Sequence, residues 1–143
     1  MRGAAYKLRW LRKLLTGHSL TVTMEGTGSA TAKIFQDKII VDASAAQSGK
    51  YINISTPLGF KVIPPGIYLQ HDNATECTVQ TLNTAGEIIP AITIAASDTD
   101  VDGPAVSIDN AYAEFSAGDD DLRFEIGTAA FTGRIVLFIE LTP

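Results

Sequence analysis

The sequence predicts an all-β, antiparallel domain carrying a short basic amphipathic N-terminal arm or helix. Three observations predict it. After Gly17, apolar and polar residues alternate with a period of two through most of the chain. Clusters of Gly, Pro, Asn and Asp interrupt these runs at short intervals. The first sixteen residues differ from the rest, being helical in period and cationic in charge. The 143 residues therefore divide into a basic arm, 1–17, and a single β-rich domain, 18–143. The domain is large enough to bury an apolar core without metal or disulfide support.

The arm holds Arg2, Lys7, Arg9, Arg12 and Lys13, five of the eleven basic residues, and the first carboxylate of the chain is Glu25. Six basic and sixteen acidic residues remain for the body, so the arm is about +5 and the body about −10 in a chain of net charge −5. Such a split points to a tail that engages something outside its own domain. At helical spacing Tyr6, Leu8, Trp10, Leu11, Leu14 and Leu15 share one broad arc, with Arg9, Arg12 and Lys13 opposite and Lys7 breaking the apolar side. Gly17 supplies a C-terminal stop. An isolated helix of this length is marginal in water, so the arm is expected to order against a surface. The candidates are its own acidic body, a neighbouring protein subunit, or nucleic acid or membrane.

The apolar run is too short and too charged to span a membrane. Leu14-Leu15, with no small-residue cleavage site after it, does not make a secretory signal, and an Arg-rich transit peptide is a minor alternative. The acidic body argues against nucleic-acid binding except through the arm.

In order along the body, Leu20, Val22 and Met24 alternate with Thr21 and Thr23 as a half-buried strand, and Glu25 to Ser29 is a turn. Strand character returns from Ala32 to Val41, with a turn at Gln36-Asp37, and Asp42 to Gly49 reads as a small, polar loop or one short helical turn. Ile52 and Ile54 mark the next strand. Phe60–Ile63 and Ile67–Leu69 are two pieces joined at Pro64-Pro65-Gly66, where prolines demand an edge, bend or turn. Thr75 to Leu82 alternates again, with Cys77 and Val79 inward, and Asn83 to Gly86 is a hairpin-like connection. Ile88 to Ala95 follows, and Pro90 gives it an edge or bulged position.

After an acidic loop, Ser97 to Pro104, come Val106, Ile108 and the stretch Ala111 to Phe115. Leu122, Phe124 and Ile126 alternate cleanly after a charged turn. Arg134 to Leu141 contains the run Ile135-Val-Leu-Phe-Ile139, which reads as a strand covered on both faces at the centre of the body. Nine or ten short strands of this kind indicate a sandwich or barrel of jelly-roll-like form.

Chemistry is sparse. His18 and His71 are the only imidazoles and belong to no motif, so both are expected at the surface; Cys77 is expected to be a buried, inert thiol. Gly26 to Thr31 lacks the Lys of a phosphate loop and reads as a turn. Asp98-Thr-Asp100-Val-Asp102-Gly103, with Asp109 at the twelfth position, resembles the calcium loop of EF-hand proteins and the Asp-rich loops of β-rich calcium proteins. The resemblance implies Asp98, Asp100 and Asp102 as side-chain ligands, the Pro104 carbonyl as another, and Asp109 closing the site. Asp109 is shorter than the usual Glu and the flanks are strand-like, so a solvated Asp/Gly loop is the favoured reading and calcium the alternative.

Across residues 17–143, Thr/Ala/Ile-rich strands, Asp/Gly turns and the closing segment Ala129-Ala-Phe-Thr-Gly-Arg-Ile-Val-Leu-Phe-Ile-Glu-Leu141 resemble tailed-bacteriophage virion proteins, above all small head decoration or cement proteins. The resemblance implies a non-enzymatic β module of the virion, assembled in the host cytoplasm. It would be a homo-oligomer, with a trimer favoured, that clamps major capsid or other virion subunits. Arg2, Tyr6, Lys7, Arg9, Trp10, Arg12 and Lys13 would then contact the partner, with the aromatics as anchors and the arginines bonding carboxylates. The competing expectation is a calcium-dependent ligand- or receptor-binding β module, such as a phage tail or head appendage. An enzyme is least favoured, because no acid, base and nucleophile assemble in a local motif.

Overall fold

The structure is a computed structural model describing residues 9, 12, 15–71, 75–94, 100–102, 107–116 and 121–142, with the backbone alone for 100–102. Every element that these residues form is a strand: β1 (His18–Met24), β2 (Ser29–Ile34), β3 (Lys38–Ala46), β4 (Tyr51–Ser55), β5 (Phe60–His71), β6 (Cys77–Leu82), β7 (Glu87–Ile94), β8 (Asp100–Asp102), β9 (Glu114–Phe115), β10 (Asp121–Gly127) and β11 (Phe131–Leu141). All pairings are antiparallel, in the order β7-β6-β10-β4-β1-β2-β3-β11-β5-β8, with β9 also beside β5.

The sheet is curled into a half-barrel, and β1 makes the corner. Its residues His18 to Leu20 pair with β2, whereas Thr21 to Met24 pair with β4, so one strand passes from one side of the sheet to the other. With a period of two, every second side chain then points into the curl. Ile52, Ile54, Leu122, Phe124, Ile126 and Val79 from one side are buried in the same apolar cluster as Ile34, Ile39, Val41, Leu69, Ile135 and Leu137 from the other. Each such side chain is worth roughly 1.5–3 kcal/mol of burial, which makes the pattern of alternation the main source of stability.

The expected central strand is central: β11 lies between β3 and β5. It is not covered on both faces, because Val136 and Phe138 are only half-buried between the buried Ile135, Leu137 and Ile139. A single curled sheet has one interior, so even a continuous apolar run buries alternate residues. The loop expected from Asp42 is strand as far as Ala46, held by pairing to both β2 and β11. The two pieces around the prolines are one strand, β5, with a cis Pro64–Pro65 bond. Leu137 pairs with Ile67 and Ile139 with Val62, so residues 63–66 bulge opposite Phe138.

Residues 107–115 bridge β7, at one end of the strand order, and β5, the last strand but one at the other. The amide of Asp109 donates to the Ile88 carbonyl of β7 at 2.9 Å, while the Val62 amide of β5 donates to the Ala113 carbonyl at 2.9 Å. The Asn83 side chain donates to the Tyr112 carbonyl at 2.9 Å, and its own carbonyl oxygen caps the amides of Ala85 and Gly86. Gly86 lies against the ring of Tyr112, where a Cβ would come within 2.7 Å of Cζ. Phe115 pairs with Phe60 in register, and their rings stack at 4.5 Å, both fully buried. Phe115→Ala is expected to cost about 3–5 kcal/mol, read from the denaturant midpoint. Hydrogen exchange should show the amides of Val62 and Asp109 losing protection before those of β11.

Candidate functional site

The arm meets the body at one end of the sheet. Arg9, Arg12, Leu15 and Thr16 are its described residues; all four are exposed and have helical backbone. The Thr16 hydroxyl donates to the Arg12 carbonyl at 2.9 Å, a bond that spans one helical turn. Arg2, Tyr6, Lys7, Trp10 and Lys13, the other expected partner contacts, lie outside the described residues. Gly17 has φ +85° and sits under the ring of Phe35, where a Cβ would be 2.9 Å from Cζ. Glycine meets both demands of this junction, the left-handed backbone and the close approach.

Beside the junction lies an open groove of about 810 Å³, with Leu15, Phe35, Ile63 and Leu141 among its lining residues. Two features of the chain shape it. The β2–β3 turn is closed by the Phe35 amide donating to the Lys38 carbonyl at 2.8 Å, and the Ile139 amide donates to the Asp37 carbonyl at 3.0 Å, which ties that turn to β11. On the other side the Pro64–Pro65 bulge interrupts the pairing of β5 with β11 directly after Val62, so that Ile63 is its first residue. Asp37 and Glu140, both exposed, also line the groove. The Lys38 ammonium is 3.8 Å from the Asp37 carboxylate. An ion pair this exposed is worth little in water, so the groove remains an apolar trough with a charged margin.

The sequence reading missed Phe35, Ile63 and Leu141 as a group. The available signals were an aromatic at a turn, next to Ile34 and out of strand phase, and the Pro-Pro-Gly interruption.

The Asp residues singled out as calcium ligands fall in three settings. Asp98 lies outside the described residues. Asp100 and Asp102 are in β8, an outer strand, in register with Gln70 and Tyr68 of β5. Asp109 is exposed and its Oδ1 accepts the Ala111 amide at 2.9 Å, an Asx turn within the 107–115 bridge. Among the described residues, no three His, Cys, Asp or Glu side chains form a group able to hold a metal ion.

The histidines divide. His18 is half-buried at the start of β1. His71, expected at the surface, is 1% exposed, stacked on Phe131 at 5.8 Å, with Nε2 3.2 Å from the Thr75 carbonyl oxygen. It is buried because it ends β5 directly opposite Gly133 of β11, where no side chain holds the two strands apart. Elsewhere, Arg134 makes a two-point ion pair with Asp42, at 2.7 and 3.1 Å. This carboxylate, through its hydrogen bond first and its charge second, pushes the guanidinium pKa up. The Arg123 guanidinium carbon lies 5.7 Å from the centre of the Tyr51 ring. The charge of Glu125 is the largest cause raising the Tyr51 phenol.

Cys77 is fully buried, with Sγ 3.4 Å from the Ala129 carbonyl oxygen. Burial pushes its thiol up to about 11.

No protein-family model matches the chain, and no curated protein is found to match it.

The Cys77 thiol ionises at 9.0 when unperturbed and at about 11 in the folded protein. The native state therefore holds a proton that the unfolded chain releases, and the associated stability is lost as pH rises from about 9 to about 11. Urea midpoints measured across that range should fall more steeply for the wild type than for Cys77→Ala.

Proposed function

We propose that this protein is a non-catalytic structural module that attaches to a larger protein assembly through its cationic, apolar leader. In its specific form the proposal is a phage-head decoration protein gripping capsid subunits. The observation that carries it is the segregation of charge together with the position of the leader's root. A segment of about +5 leaves a body of about −10 at one end of the sheet, with Arg9, Arg12 and Leu15 exposed. Attraction of the body for the leader would hold such a segment back; an acidic partner surface competes for it through bidentate arginine–carboxylate bonds. Repetition of the leader across a homo-oligomer, the trimer of the resemblance, would raise affinity without a large contact from each copy.

The described nucleophile and buried imidazole agree with a structural role, since Cys77 is hydrogen-bonded in the core and His71 is stacked on Phe131. The sandwich or jelly-roll form of the resemblance is part of this proposal, and the curled antiparallel sheet is compatible with it.

Reversing the charge of the leader in the full chain, as Arg9→Glu with Arg12→Glu, should leave the thermal midpoint of the body within about 2 °C. It should abolish co-sedimentation with shells of the cognate capsid protein. Undiminished co-sedimentation would remove the leader from the attachment role, and transfer of binding from shells to duplex DNA or anionic vesicles would replace the partner. Titration calorimetry with calcium separates the competing ligand-binding reading. A structural attachment module gives no saturable heat, whereas heat seen in the wild type and lost in Asp100→Ala would favour the calcium-dependent module.

A further inference from the structure

We infer that the outer face of β3, β11 and β5 is a self-association surface, on which a second copy of this chain docks about a two-fold axis through Phe138. The unbroken run Ile135-Val-Leu-Phe-Ile139 sends apolar side chains to both faces of β11, and the core takes only those of Ile135, Leu137 and Ile139. Val136 and Phe138 point outward, and the register sets the half-buried Ile40 and Tyr68 on either side of Val136. Among the described residues no strand lies over this face. Next to it along β11, the exposed Arg134 pairs with Asp42 and makes a polar, neutral margin. An apolar centre inside a polar rim is the anatomy of a protein–protein interface.

Charge selects the occupant. Lys33 of β2 is in register with Ile40 and so stands two strands from β11, at the level of Val136. Glu114 of β9 is in register with Lys61, itself in register with Glu140, and so stands two strands away on the other side, at the level of Glu140. Phe138 lies midway between them. With strands about 4.8 Å apart and residues about 3.4 Å apart, Lys33 and Glu114 are each about 12 Å from Phe138, in opposite directions. Lys38, in register with Phe138, and Glu140, two residues further along β11, are about 5–7 Å from it.

A two-fold axis in the plane of contact, passing through Phe138 and square to the Lys33–Glu114 line, lays Lys33 of each copy on Glu114 of the other. It also brings Lys38 onto Glu140. Lys61 stands between the two glutamates and Asp37 is 3.8 Å from Lys38, which leaves one corner net acidic and the other net basic. The face is therefore its own complement, as a two-fold contact requires, and Phe138 meets Phe138 on the axis as an aromatic anchor. Two outward-curved sheets touch over a small area, so the contact belongs to the weak, concentration-dependent class. This inference goes beyond the attachment proposal and makes no use of the leader, so either can fail while the other stands.

The test is sedimentation velocity of the full chain, in a dilution series reaching about 200 μM. The wild type should show a monomer–dimer equilibrium. Lys33→Glu, a change at an exposed side chain, should weaken dimerisation about tenfold or more, because each contact off the axis occurs twice. Lys33→Glu with Glu114→Lys should restore it. Lys50→Glu makes the same change of charge in the β3–β4 connection and should leave it unaltered. Phe138→Asp should be monomeric, and Val136→Lys takes its place if that variant melts early. A wild type that stays monomeric throughout or forms a trimer, a folded Phe138→Asp or Val136→Lys protein that still dimerises, or a charge exchange that restores nothing would each overturn the inference.

Discussion

A curled sheet must close over its core between its outer strands, and in this protein residues 107–115 do so by bonding to β7 on one side and to β5 on the other. The segment accepts and donates backbone hydrogen bonds to β7 and β5 and seals the opening with Phe115, Ala113 and, part-buried, Ile108 and Tyr112. Without it, the core side chains of β5 and β7 would face water and the edges would present unpaired amides and carbonyls. The bridge includes little regular structure, only the two residues of β9. Its placement depends on capping interactions, the Asn83 amide and the Asp109 Asx turn, each of which fixes backbone groups that no ladder pairs.

The same economy explains where the leader emerges. Because β1 supplies the corner, its first residues lie on the β2 side and the chain enters past the β2–β3 turn. The Pro64–Pro65–Gly66 bulge sits on the opposite wall, where β5 leaves its pairing with β11 for four residues. A turn, a bulge and a strand end therefore enclose a trough at the leader's root. None of these features is unusual singly. Their coincidence at one end of the sheet follows from the topology, which puts β11 between β3 and β5.

Polar groups inside the curl act as structure. Asn83 satisfies three backbone groups across two connections. Thr56, buried, donates its hydroxyl to the Leu58 carbonyl at 3.2 Å in the β4–β5 turn. Burying such groups costs free energy unless partners are supplied, and for Asn83 and Thr56 each partner is a backbone carbonyl or amide of a connection. Asn83 and Thr56 thus hold two connections of the sheet in place.

Alternation in the sequence was sufficient to determine the all-β character and the inward residues of β4, β6 and β10, because side-chain direction in a strand depends only on parity; the missing amide of Pro90 left an edge or a bulge for its strand, and β7 is an outermost strand. The charge split between leader and body was equally local. What parity could not supply was how many faces are covered, and so Val136 and Phe138 were assigned to an interior that the single sheet does not possess. Nor could it show that His71 comes to rest opposite Gly133, sixty-two positions later, or that Phe35, Ile63 and Leu141 converge beside Leu15. Those facts depend on which strands neighbour one another, and strand order is set by the packing of the whole curl, to which distant residues contribute and no local stretch is a guide.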